Sequence, residues 1–156
     1  MRALLQRVSR AEVRIEGRAI SSIGPGLLIL LGVGPEDDEW VASGMAAKVA
    51  GLRIFADAEG LTNLSIADVG GSVLVVSQFT LYADVTRGRR PSFIRAAGPV
   101  QGERLYEVFC EILGSLGLSV AQGRFGAEMA VDLVNEGPFT IWLDSDELGI
   151  EPKPGS

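Results

Sequence analysis

Apolar and polar residues alternate with the two-residue period of β-strands over the first third of the chain. Leu5, Arg7 and Ser9 oppose Leu4, Gln6 and Val8, and Ala11, Val13 and Ile15 then alternate with Glu12, Arg14 and Glu16 up to a turn at Gly17. Arg18 to Ile23 returns as the second arm of a hairpin. Gly24-Pro25-Gly26 punctuates the chain, and Leu27 to Val33 is apolar on both faces, as a central strand requires. Asp37 and Asp38 can cap a helix entering at Glu39, with Val41, Met45, Val49 and Leu52 at helical spacing. A strand at Leu52 to Phe55, a turn at Asp57 to Gly60 and an irregular stretch to Gly70-Gly71 follow. Val73 to Ser77 is a second buried strand running into Gln78-Phe79-Thr80-Leu81, and Val85 to Val100 reads as a long loop. Glu103 to Leu116 sets Leu105, Val108, Phe109, Ile112, Leu113 and Leu116 on one helical face, closed by Gly117. Ser119 to Phe125, Met129 to Asn135 and Phe139 to Leu143 read as three closing strands.

This order is not the regular βαβ alternation of a doubly wound sheet. It predicts an α+β class: a β-rich, open barrel-like sheet with two main helices packed on it. With 156 residues, 47% hydrophobic and 22% charged, the chain fits one domain, expected over 1–150, with a disordered tail at 151–156.

Composition narrows the chemistry. There is no histidine, and Cys110 is the lone cysteine, so histidine-based triads, histidine-containing zinc sites, CxxC redox motifs and internal disulfides are excluded. Cys110 beside the second helical stripe reads as a small buried hydrophobe. The lone cysteine and the early return of charge after Met1 point to a cytoplasmic protein without a secretory leader. The longest apolar run, Leu27 to Leu31, is far short of the ~20 residues of a membrane helix, so no membrane partner is expected. A net charge of −6 argues against broad binding to nucleic-acid backbone, DNA included, but leaves room for a local contact. Of the 14 basic residues 12 are arginine, and Arg87, Arg89, Arg90 and Arg95 share one short stretch; a solvated loop and an RNA contact both fit it.

Phosphate loops fail as candidates. Gly24-Pro25-Gly26 and Gly32-Val33-Gly34-Pro35 lack the Walker lysine and read as turns. The carboxylate pairs Asp37-Asp38 and Asp144-Asp146 lie at element ends, where capping explains them. Two segments stand out. Ser77-Gln78-Phe79-Thr80-Leu81 places polar side chains just past a buried strand, and Asn135-Glu136-Gly137-Pro138-Phe139-Thr140 sets a Gly-Pro between strands. On residues alone the second also fits a plain turn.

Together these two segments resemble the paired signature of the D-aminoacyl-tRNA deacylase family. The flanks agree: Gln6-Arg7-Val8, Asp68-Val69-Gly70-Gly71, Gly88-Arg89-Arg90-Pro91-Ser92-Phe93 and Phe125-Gly126-Ala127-Glu128-Met129, with the likeness running from Met1 to about Asp144. Departures are Phe139, where the family usually carries valine, and Gln122 before Gly123, where threonine is more frequent.

The resemblance implies a homodimer that hydrolyses the ester joining a D-amino acid to the terminal adenosine of tRNA, without a cofactor or metal. Catalysis falls to Ser77, Gln78, Phe79 and Thr80. Backbone N–H groups of Gln78, Phe79 and Thr80 would stabilise the oxyanion, and the terminal 2′-hydroxyl would assist water. Gly137 and Pro138, cis in the family, would form a chiral filter reaching into the partner's pocket, supported by Arg7. Phe125 and Met129 fall at adenosine-pocket positions. The filter tolerates glycine, so glycine mischarged on tRNA(Ala) is an expected substrate. The rival readings are a noncatalytic RNA-binding module and a relative that deacylates L-alanine from a mischarged tRNA.

Overall fold

The alternation of the first third folds into a hairpin built on one long strand. In the computed structural model, which describes residues 1–155, β1 (Arg2–Ile15) pairs antiparallel with β2 (Arg18–Ile23) and with β3 (Gly26–Gly32), both along one side. Its other side pairs with β8 (Ala130–Asp144). From β3 the sheet continues in parallel through β6 (Ser72–Ser77) to β7 (Ser119–Gln122). The result is a mixed six-stranded sheet, curled like an almost closed barrel.

Each face of the sheet buries its own core. Ala3 and Leu5 of β1 join Leu27, Ile29, Leu31, Val73 and Val75 under the helices. Val8, Ala11 and Val13 join Leu28, Leu74 and Val76 on the inner face of the curl. The odd spacing from Leu5 to Val8 moves β1 from one face to the other. A register irregularity between Val8 and Arg10 then lets Ala11 and Val13 stay on that second face. Between their end residues β3 and β6 are apolar at every position, Leu27 to Leu31 and Val73 to Val76, because each face meets a core. Gly26 is required at the β3–β6 entry: a Cβ there would lie 1.7 Å from the Ser72 carbonyl oxygen.

α1 (Glu39–Gly51) begins where Asp38 accepts a hydrogen bond from the Val41 N–H at 2.9 Å. It buries Val41, Ala42, Met45, Ala46 and Val49. α2 (Pro99–Ser115) buries Leu105, Tyr106, Phe109, Cys110 and Leu113 and ends toward Gly117, whose φ of 88° suits glycine. The α-ammonium of Met1 is bonded to Asp37 and Ser145, both at 2.6 Å.

The structure differs from the sequence expectations at five places. Pro99 pre-sets φ for the first helical turn, so α2 starts four residues before Glu103 and shortens the loop. The strand expected at Leu52 to Phe55 begins only at Phe55: β4 (Phe55–Ala56) pairs with β5 (Thr62–Leu64) inside the stretch read as irregular, while Leu52 caps α1. The strand expected over Ser119 to Phe125 stops at Gln122 as β7, the Gly123 N–H closing its ladder on the Val75 carbonyl at 2.9 Å, and the segment after Ser77, left without an element by the pattern, is a 3₁₀ turn at Phe79–Tyr82. The last two expected strands are one, β8, and the Gly-Pro lies within it. At the tail, the Lys153 N–H donates to Asp38 at 2.9 Å; the tail reading at Ser156 lies outside the described residues.

Candidate active site

The two signature segments occupy irregularities that the sheet imposes. Opposite β8, β1 runs Gln6, Arg7, Val8, and the register pairs Gln6 with Thr140 but Val8 with Asn135. Four residues, Glu136 to Phe139, therefore arch out opposite the single residue Arg7. The Gly137–Pro138 peptide within the arch is cis, and Glu136, Gly137 and Pro138 are exposed. Asn135 closes the neck: its side-chain amide donates to the Arg7 carbonyl at 2.9 Å and the Phe139 carbonyl at 3.1 Å. Gln6 Nε2 donates to Thr140 Oγ1 at 3.3 Å beside it.

Arg7 lies beneath the arch. Its Nη1 donates to the Ile54 carbonyl at 2.8 Å and its Nη2 to the Gly137 carbonyl at 3.3 Å. Its guanidinium carbon lies 4.6 Å from the Phe139 ring centre, and Nε is 3.9 Å from Glu136. One planar, permanently charged group thus ties the arch to the chain segment after α1.

The second segment sits where β6 ends. The Gln78 N–H completes the ladder by donating to the Leu31 carbonyl at 2.7 Å. The chain then turns into the 3₁₀ helix, whose first two amides, Phe79 and Thr80, find no acceptor among the described residues. The Gln78 side-chain amide donates to the Thr80 hydroxyl. No carboxylate hydrogen-bonds Thr80, so its hydroxyl has no base to activate it as a nucleophile.

Two cavities open on either side of this turn and share Ser77, Gln78, Phe79 and Gly126. One, of about 410 Å³, is walled by Leu31, Phe93, Ala97, Tyr106 and Phe125. The other, of about 360 Å³, is walled by Glu128, Met129 and Val131. Phe79 and Phe93 meet edge to face at 5.0 Å. The α2 backbone lies close to Phe125, where a Cβ on Gly102 would approach the ring to 3.3 Å. Tyr106 donates to the Val75 carbonyl at 2.8 Å, and burial raises its phenol above the ordinary range. Burial also pushes the Cys110 thiol up to about 12.

Ser77, Gln78, Phe79 and Phe125 thus meet at the larger cavity, and Met129 faces the smaller one. Arg7, Thr80, Gly137 and Pro138 line neither. Arg87, Arg89 and Arg90 sit exposed on a loop closed by paired Asp84 and Ser92, while Arg95 is 3.9 Å from Asp84. Sequence reasoning missed Asn135 as the neck of the arch, although the residue stood in the quoted motif. It also missed Phe93, Ala97 and Tyr106 as cavity walls, which no local pattern marks.

An α+β curled sheet with a turn of open amides between two cavities has close structural counterparts. A structure titled c-Myc DNA Unwinding Element Binding Protein superposes with a TM-score of 0.87 at 40% identity, covering 93% of this chain and 99% of that one. The family profile described as D-Tyr-tRNA(Tyr) deacylase matches residues 4–144. D-aminoacyl-tRNA deacylases from Thermomicrobium roseum and Symbiobacterium thermophilum are 60% and 58% identical to this chain. They cover 95% and 94% of it, and the matches span 96% and 97% of their own lengths. The chain belongs to the D-Tyr-tRNA(Tyr) deacylase family, enzymes that hydrolyse the aminoacyl-tRNA ester. The family, fold class and enzyme class read from the sequence hold.

Proposed function

We propose that this chain hydrolyses the ester between a D-amino acid, or glycine on tRNA(Ala), and the terminal adenosine of tRNA, in the cytoplasm and as a homodimer. The open amides of Phe79 and Thr80 between two cavities carry the reading. A carbonyl oxygen placed against them meets two fixed donors as it becomes an oxyanion, each worth about 3–4 kcal/mol of barrier. The Gln78 amide, occupied by Leu31, is not a third donor.

The nucleophile is water. It adds to the ester carbonyl, the carbonyl carbon–ribose oxygen bond breaks, and the water's proton reaches the leaving ribose oxygen through the neighbouring 2′-hydroxyl. Thr80 orients the turn through Gln78. Dependence on the 2′-hydroxyl would select RNA over DNA. The aromatic cavity around Phe125 suits the adenine, with Met129 on the far side of Gly126.

Gly137 and Pro138 act on the partner's site, which reconciles their exposure with their absence from the cavities of their own chain. Their carbonyls occupy the space an L side chain needs, and Arg7 holds Gly137 in that position. Incubation with D-tyrosyl-tRNA and L-tyrosyl-tRNA tests the reading: only the D ester should be cleaved. Hydrolysis of neither, with RNA bound, would make the chain a noncatalytic RNA-binding module. Preference for L-alanyl ester on a mischarged tRNA would place it with the relatives of that specificity.

A further inference from the structure

Seven of the twelve arginines have an acceptor within the described residues: Arg2, Arg7, Arg10, Arg14, Arg53, Arg95 and Arg104. Arg18, Arg87, Arg89, Arg90 and Arg124 have none. Three of these five crowd the loop tip at 85–91, Val-Thr-Arg-Gly-Arg-Arg-Pro, which holds no acidic residue. On a chain of net charge −6 this concentration cannot follow from general basicity.

The tip is held in shape. Asp84 and Ser92 exchange backbone hydrogen bonds at 2.8 and 2.9 Å, and Asp84 accepts from the Thr86 amide and hydroxyl at 3.0 and 2.7 Å. The residues that follow it, Phe93, Ala96 and Ala97, line the larger cavity. Arg124 stands on the other cavity loop, directly before Phe125 and Gly126. Both loops that wall the cavity therefore also carry unpartnered guanidinium groups.

We propose that Arg87, Arg89, Arg90 and Arg124 form a rim that grips the phosphodiesters on the 5′ side of the terminal nucleoside of the tRNA, with Arg95 serving the loop through Asp84. This rests on the deacylase reading, which puts that nucleoside in the cavity. Arginine suits the role because its fork matches phosphate oxygens in pairs. The phosphates on that strand are the anions nearest the mouth, and the grip needs no base identity.

The test compares the intact protein with R87Q/R89Q/R90Q, R124Q and R18Q. Binding of uncharged tRNA is followed by fluorescence anisotropy from 25 to 250 mM salt, and deacylation of D-tyrosyl-tRNA by KM and kcat. At about 0.7 per single-strand phosphate, the log–log salt slope should flatten by about 2 in the triple variant and about 0.7 in R124Q. KM should rise at least about tenfold in the triple variant, and R18Q should leave the slope unchanged. Unchanged slopes in the triple variant and R124Q would overturn the rim, as would flattening by R18Q equal to R124Q or a loss carried by kcat. If no variant, nor the parent, cleaves the D ester, the deacylase reading fails. The anisotropy slopes then still decide whether these arginines hold tRNA phosphates.

Discussion

Replacing Arg7 with Met keeps most of the apolar stem and removes the fork. The change strands the Ile54 carbonyl, now bonded at 2.8 Å by a side chain only 16% exposed. Loss of that charge-assisted bond costs about 1.5–3 kcal/mol. The Phe139 ring contact at 4.6 Å adds about 0.5–1 kcal/mol, and the 3.9 Å approach to half-exposed Glu136 adds almost nothing. A total of about 2–4 kcal/mol corresponds to a fall in Tm of roughly 5–15 °C for a chain of this length. For the proposed filter, the functional effect runs through the longer 3.3 Å bond to Gly137. Its loss, worth about 1 kcal/mol, lets the arch move and relaxes rejection of the L ester by roughly five- to tenfold. Thermal melts and paired rates on D- and L-tyrosyl-tRNA measure both effects. Arg7→Lys, which reaches one acceptor at a time, should fall between. Loss of stability on this scale with L rejection unchanged would refute the coupling of Arg7 to the filter.

Three further outcomes follow from the same geometry. Thr80→Ala should retain kcat within about tenfold, because a threonine without a base contributes positioning and not attack; a fall of a thousandfold or more with tRNA binding intact would refute the water mechanism. Gly26→Ala drives a methyl to 1.7 Å from the Ser72 carbonyl oxygen and should cost more than the ~1–3 kcal/mol of ordinary overpacking, read as loss of soluble folded protein. The Cys110 thiol, raised from 9.0 to about 12 by burial, keeps its proton in the fold after the unfolded chain has lost it. Its contribution is therefore complete below pH 9 and declines from pH 9 to about 12. Urea midpoints at pH 8 and 10.5 should separate less in Cys110→Ala than in the parent; equal separation would contradict the burial argument. Tyr82 and Tyr106, shifted upward from 10.0 chiefly by burial, leave a residual alkaline loss in both proteins.

The elements with clean periodicity were legible in the sequence. The hairpin at Gly17, the two-faced central strands and the Asp38 cap each rest on one local rule, and the structure follows it. The arch was not legible, because β8 reads as two strands parted by a turn. Only pairing with a continuous β1 makes it one strand with four residues displaced opposite Arg7. The early start of α2 was hidden because the apolar stripe begins at Leu105, whereas the helix is set by Pro99 in a turn that carries little stripe. Cavity walls such as Tyr106 and Ala97 come from elements distant in sequence, and each has a sufficient local reading as core or loop.

The backbone hydrogen bonds around Gln78 set its amide apart from those of Phe79 and Thr80. From sequence alone, three consecutive amides at Gln78, Phe79 and Thr80 are equivalent oxyanion donors. The fold distinguishes them: β6 must finish its ladder on Leu31, which consumes the first, and the 3₁₀ turn leaves the next two open because a helical start always has unpaired N–H groups. With no histidine in the chain, the proposed mechanism draws on backbone donors and the substrate's own hydroxyl. Ending a buried parallel strand in a short helical turn is an economical way to supply such donors, since the rigid ladder at Gln78 fixes where the two free donors point. In the proposed mechanism, moving the site by one residue would pair one of them and halve the electrostatic stabilisation, which ties the proposed oxyanion site to the β3–β6 register.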